Sequence, residues 1–143
     1  MGLIYIIGVK LSIILKLICY RKKVIDNNLK NSFPKKDKQA LRKIKNQFYS
    51  YLGQLIAESI KLFHCSEYTI KNSHKFVNES QVKSFLKQDK DVIVVLGHYC
   101  NWEWALLASS LNFDAEMVGI YKPLSSKFWN KKVLNIRSQF GAT

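Results

Sequence analysis

The sequence has 143 residues, 48% of them hydrophobic, which is enough for one domain with a core and excludes a disordered chain. Its 23 Lys and Arg outnumber 10 Asp and Glu to give a net charge of +13, and residues 1–50 carry 12 basic but only 2 acidic side chains. An anionic partner is therefore expected: phospholipid headgroups, nucleic acid or an acidic protein. The three cysteines form no CxxC pair, which argues against a disulfide framework or a zinc site and favours a reducing compartment.

The N-terminal segment is apolar from Gly2 to Cys19 except for Ser12 and two lysines, and a basic cluster follows at residues 21–23. As a helix it would be about 27 Å long, slightly short of the roughly 30 Å hydrocarbon core of a bilayer. A signal peptide fits poorly, because no basic start precedes the run and no small-residue cleavage site follows it. We predict a membrane anchor over residues 1–20, spanning or interfacial, with the rest of the chain in the cytoplasm. The alternative is a buried helix of the domain itself.

Helical patterns dominate the next part of the chain. A short helix is expected to end near Phe33, because Pro34 disfavours helix at the residue before it. From about residue 36 to residue 63, apolar residues recur every three or four positions, which predicts a long amphipathic helix. Its early polar face is basic and, beside an anchor, favours lipid contact over nucleic-acid binding. A further short helix is predicted within residues 79–90.

The remaining sequence alternates between strand and helix patterns. Val92 to Leu96 is an unbroken apolar run that predicts a buried strand, and Ala115 to Ile120 predicts a second one. The helix after the first strand is expected to have Asn101 as its N-cap and Glu103 in its first turn. Another helix is expected over residues 126–140. The predicted fold is α/β: an anchor helix and long amphipathic helices, then the start of a mainly parallel sheet with crossover helices.

The motif His98-Tyr-Cys-Asn-Trp-Glu103 lies where the first predicted strand ends. Inside one helix, side chains five residues apart point about 140° from each other and cannot meet. With His98 in a loop and Glu103 in the following helical turn, the carboxylate can hold one ring nitrogen and leave the other as a general base. A substrate hydroxyl or water would then be the nucleophile, because no protein nucleophile accompanies the pair.

Other interpretations of this motif stay open. Cys100 could be a nucleophile beside His98, although neighbours two apart on a tight loop often point in different directions. Metal binding by His98, Cys100 and Glu103 has no recognised spacing. A histidine that only stabilises the helix start is as compatible with the residues as a catalytic one.

The order of motifs resembles that of the lipid A biosynthesis (late) acyltransferases, within the lysophospholipid acyltransferase superfamily. Besides the HxxxxE motif, three stretches carry the resemblance: the basic segment YRKKVIDNNLKNSFP, the tyrosine–basic–proline stretch IYKPL, and the arginine–glycine block IRSQFGA. Members of the family continue beyond this block. The resemblance thus implies an N-terminal fragment whose residues 21–143 are an acyltransferase domain truncated on its C-terminal side, and whose own activity is open.

The resemblance implies transfer of a fatty acyl group from acyl-acyl carrier protein to a hydroxyl of a lipid A precursor. The acceptor is a phosphorylated glycolipid, and the reaction occurs at the cytoplasmic face of the inner membrane, without nucleic acid, metal or cofactor. His98 would take the acceptor's proton, and Glu103 would orient His98. Substrate contacts are expected from Arg137, Lys122, Tyr121 and Asn101.

Two positions depart from the family pattern. Lys122 stands where arginine is commoner, and Cys100 stands where glycine is frequent. The alternative function comes from another class: a catalytically inactive, membrane-anchored remnant that binds anionic lipid through its basic helix.

Overall fold

A computed structural model describes residues 2–143. Seven helices form in this range: α1 (Gly2–Leu17), α2 (Lys22–Ser32), α3 (Lys38–Leu62), α4 (Glu67–Ser73), α5 (Glu79–Leu86), α6 (Trp102–Asn112) and α7 (Lys127–Arg137). The chain divides into two compact units, an N-terminal unit that ends at Lys61 and a C-terminal unit from Leu62 to Thr143. The expected division into an anchor over residues 1–20 and a domain over residues 21–143 stays a prediction.

In the N-terminal unit, α1 and α3 meet through small residues. A methyl group on Gly53 would lie 2.5 Å from the Gly8 carbonyl oxygen and 2.8 Å from the Ser12 Cβ, so the two helix backbones approach closely. Ser12 is buried, and its hydroxyl donates a hydrogen bond to the Val9 carbonyl at 2.7 Å. The other faces of α1 expose large apolar side chains: Leu3, Tyr5, Ile6, Ile13, Ile14 and Leu17.

The turn between α1 and α2 is fastened to α3. Cys19 and Arg21 adopt left-handed backbone conformations there, and the Tyr49 hydroxyl donates to the Tyr20 carbonyl at 3.0 Å. Within residues 2–143, no helix by itself has the length and apolarity that a bilayer crossing requires. Only α1 and α2 taken together meet that measure, and they are bent by 94°.

The C-terminal unit has one core cluster, formed by the end of α3, by α4 and by α6. Its buried members are Leu62, Cys65, Ile70, Trp104, Leu107 and Ala108, and Phe76, Leu111, Ile136 and Phe140 pack against them. The Ser66 hydroxyl caps α4 by accepting from the Thr69 backbone N–H. This short helix is absent from the expectations above, because its seven residues give too few turns for a periodic pattern.

The helix predictions are confirmed. The helix α2 ends at Ser32 with Phe33 as its C-cap, and α3, α5, α6 and α7 fall within the predicted stretches. Within α7, the large side chain of Trp129 is 54% exposed.

The predicted parallel sheet is wrong: residues 2–143 form helices and no β-strand. Residues 92–96 form no regular secondary structure, and Ile93 and Val95 are each 89% exposed and not buried as a central strand would be. In the second segment, Gly119 N–H donates to the Thr143 carbonyl and Thr143 N–H donates to the Met117 carbonyl, both at 2.8 Å. These two bonds form an isolated contact. A β-branched run supplies strand propensity, but a strand also needs a neighbour for its backbone groups.

Candidate functional site

His98 lies in a tight turn on an exposed loop. The Tyr99 N–H donates to the Gly97 carbonyl at 2.8 Å, which closes a γ-turn centred on His98. The imidazole meets the Trp102 ring edge-on, with 4.9 Å between ring centroids. His98 is therefore accessible to a substrate and is braced on one side by the first residue of α6.

The loop enters α6 through a left-handed residue. Cys100 has φ +54°, a conformation that favours glycine, whereas Gly97 is outside the positive-φ region. Asn101 occupies the N-cap position as predicted, but its side chain makes no capping hydrogen bond. The first turn instead closes through the backbone, with the Trp104 N–H donating to the Asn101 carbonyl at 3.1 Å.

Glu103 of α6 and Arg137 of α7 form a bidentate ion pair. Arg137 Nε donates to Glu103 Oε2 at 2.9 Å, and Nη2 donates to Oε1 at 2.5 Å. The side chains are only 24% and 16% exposed, which limits screening by water. The hydrogen bonds to Glu103 raise the pKa of the Arg137 guanidinium above its ordinary value. The partner of the Glu103 side chain is thus a permanent cation that binds it through two hydrogen bonds.

Two aromatic rings complete the surroundings of Arg137. Its guanidinium carbon lies 5.2 Å from the centroid of the Trp102 ring and 5.1 Å from that of the Tyr121 ring. Both distances fall in the range of cation–π attraction. We call Trp102, Glu103, Tyr121 and Arg137 the arginine cluster. Because Trp102 also touches His98, the cluster and the loop histidine form one contiguous group.

The structure brings some of the predicted site residues together and leaves others apart. Glu103, Arg137 and Tyr121 meet in the arginine cluster, and His98 joins them through Trp102. No hydrogen bond links His98 to Glu103 within residues 2–143, because the Glu103 carboxylate is turned toward Arg137. Lys122 is exposed.

Two features of the site were not foreseen from the sequence: the contact role of Trp102 and the pairing of Glu103 with Arg137. A signal for the pairing was present. Glu103 is the only acidic residue between Val92 and Phe113, and a lone carboxylate in an apolar stretch needs a cation to offset its desolvation. The sequence could not say which of the downstream cations it would be.

The structure also bears on the two other interpretations of the motif, a cysteine nucleophile and a metal site. Cys100 is exposed and its thiol is free of any disulfide. Within the part of the chain that the structure describes, no three His, Cys, Asp or Glu side chains are grouped so that they could hold a metal ion. The carboxylate of Glu103 faces a guanidinium, an arrangement that suits charge stabilisation and not metal coordination.

A loop histidine beside a carboxylate–arginine pair, at the start of a helix, is an arrangement suited to proton transfer during group transfer. The family model described as bacterial lipid A biosynthesis acyltransferase matches residues 3–143, and the chain therefore belongs to that family. It is an acyltransferase of lipid A biosynthesis, and the family that the sequence predicted is confirmed. The family implies an acyl donor, a lipid acceptor and, in general, association with membranes. Comparison with curated proteins and with solved structures gives no match.

Proposed function

We propose that this acyltransferase moves a fatty acyl group from acyl-acyl carrier protein to a hydroxyl of a phosphorylated lipid A precursor, with His98 as the general base. The family membership supports the reaction class, and the strongly basic chain suits an acidic carrier protein and a phosphorylated glycolipid. The observation that carries the assignment of the site is the contact of His98 with the arginine cluster through Trp102.

In the proposed reaction, a ring nitrogen of His98 takes the proton of the acceptor hydroxyl as its oxygen attacks the thioester carbonyl. The C–O bond forms, the C–S bond breaks, and the carrier leaves as a thiol after it receives the proton from the imidazolium. No protein nucleophile is acylated. The exposed position of His98 leaves room for both substrates to approach the ring.

Glu103 would stabilise the imidazolium that forms on His98. A carboxylate has about four lone-pair sites, and the two bonds from Arg137 leave two of them available. We expect one of these to accept from His98 when the substrates close the loop, since catalytic hydrogen bonds are often absent before substrates bind. The face of Trp102 would add cation–π attraction to the same imidazolium.

The proposed place of action is the cytoplasmic face of the inner membrane. In support, α1 exposes large apolar side chains, and the basic residues Arg21, Lys22 and Lys23 follow its end after three intervening residues. Positive residues next to an apolar segment favour the cytoplasmic side.

The first test compares His98→Ala with the matched control His74→Ala in an assay of acyl transfer from acyl-acyl carrier protein to a lipid A precursor. Loss of a general base is expected to lower the rate about 10²- to 10⁴-fold, whereas the control should keep its rate. Binding to anionic vesicles should be the same for both variants. Equal rates for the two variants would contradict His98 as the base. A wild-type chain that binds vesicles but transfers no acyl group would favour the lipid-binding alternative.

A further inference from the structure

An open groove of about 530 Å³ lies within the N-terminal unit, between the last turn of α1 and the first half of α3. Three cations line it: Lys16 from α1 and Arg42 and Lys43 from α3. Gln39, Asn46 and Ser50 also line it and add neutral hydrogen-bonding groups. The α3 residues are spaced by three and four positions, so they form one face of the helix.

No carboxylate lines this cationic groove, and the acids of the N-terminal unit are engaged elsewhere. Asp26 pairs with Lys22 and Lys45, at 2.9 and 2.8 Å. Asp37 accepts from the Ala40 N–H at the start of α3, and Glu58 accepts from Gln54. The groove cations consequently form no ion pair within residues 2–143, and their charge is available to an anion from outside.

The helix that supplies Lys16 also carries an exposed apolar surface. Ile13, Ile14 and Leu17 of α1 are 50%, 52% and 78% exposed. A ligand that satisfies both features has an anionic head and a hydrocarbon part. Nucleic acid has no part that would cover the apolar side chains, and free phosphate would leave them in water.

We propose that Lys16, Arg42 and Lys43 form a binding site for the phosphate of an anionic membrane lipid, whose acyl chains lie along the apolar face of α1. Arg42 offers a planar fork for two phosphate oxygens, and the two lysines act as point charges. The lysine stems cover apolar surface while their ammonium groups reach the headgroup layer. This binding does not depend on acyl transfer by His98.

The test compares two triple variants of the whole chain that lose the same charge. The groove variant is Lys16→Gln/Arg42→Gln/Lys43→Gln, and the control is Lys23→Gln/Lys30→Gln/Lys35→Gln, whose cations are exposed and lie outside the groove. Co-sedimentation measures binding to phosphatidylcholine vesicles with and without phosphatidylglycerol. Cations that touch lipid phosphates contribute about fivefold each, so we expect about 100-fold weaker binding for the groove variant and less than about tenfold for the control.

Three results would overturn the proposal. Equal losses in the two triple variants would mean that diffuse surface charge, and not the groove, attracts the membrane. Equal binding to vesicles with and without phosphatidylglycerol would show that the groove does not bind an anionic headgroup. Displacement from vesicles by inorganic phosphate, at an ionic strength matched with chloride, would indicate a site for a free anion. Far-UV circular dichroism checks the fold, and if the groove variant loses helix, Arg42→Glu against Lys35→Glu replaces the triple comparison.

Discussion

At the scale of single residues, the partner of Glu103 decides how the site is organised. The sequence predicted that Glu103 would bind His98, whereas the carboxylate is held by Arg137 from α7. A histidine offers one N–H to a carboxylate, but a guanidinium offers two in a matching plane and is always charged. The stronger partner, Arg137, therefore binds the carboxylate.

We expect Arg137→Lys to lower the free energy of unfolding by about 1–2 kcal/mol, because a lysine cannot supply the fork and the pair is only partly shielded from water. Urea denaturation of Arg137→Lys, Glu103→Gln and the double variant gives the coupling energy between the two side chains. The control is Arg42→Lys, because Arg42 is exposed and forms no ion pair within residues 2–143. This substitution should change the free energy of unfolding by less than about 0.5 kcal/mol. A loss in Arg137→Lys no greater than in the control would contradict a structural role for the fork.

The backbone of the loop has a left-handed residue at Cys100, with φ +54°, and not at Gly97. Cys100 was noted above as standing where glycine is frequent in the resembling family. The two observations agree physically, because a glycine at that position would adopt the same conformation without a Cβ clash.

At the scale of elements, the apolar N-terminal helix α1 packs closely on α3. The crossing depends on residues without bulk: Gly8 and Ser12 on α1, and Gly53 on α3. Sequence periodicity indicated both helices, but it could not indicate that this segment packs on α3 through one face and exposes its apolar side chains on others.

We expect Gly53→Ala to destabilise the chain by about 1–3 kcal/mol, because the added methyl would lie 2.5 Å from the Gly8 carbonyl and the helices would have to separate. The matched control is Gly97→Ala, where an added Cβ meets nothing within 4 Å. Thermal unfolding followed by circular dichroism compares the two variants. Similar melting temperatures for both would argue against the close α1–α3 contact.

At the scale of the whole molecule, the excess of basic residues lets the carboxylate of Asp26 pair with two cations at once. Asp26 accepts from both Lys45 and Lys22, and these hydrogen bonds lower the pKa of its carboxyl below the ordinary value of 3.8. A carboxyl group whose pKa is lower in the folded state than in the unfolded state stabilises the fold at any pH above its unfolded-state pKa. That contribution is lost as pH falls below 3.8 and through the folded pKa.

We therefore expect Asp26→Asn to lower the melting temperature at neutral pH, and we expect the difference from the wild type to shrink as pH falls below about 4. Melting temperatures measured from neutral pH down to strongly acid pH test this expectation. Asp114→Asn serves as the control, because Asp114 is exposed and forms no ion pair within residues 2–143. A difference between Asp26→Asn and the wild type that stays constant with pH would show that the ion pairs of Asp26 do not stabilise the fold.

The sequence by itself determined the helices other than α4, the position of the HxxxxE motif and the family. Helix hydrogen bonds are local, so the spacing of apolar residues is enough to place α2, α3, α5, α6 and α7. Only the tertiary structure decided the rest: the absence of a sheet within residues 2–143, the Glu103–Arg137 pair, and the groove between Lys16 and Arg42. Each of these depends on which distant segment lies alongside. Strand pairing and ion pairing between remote residues follow from packing geometry, which local propensity does not contain.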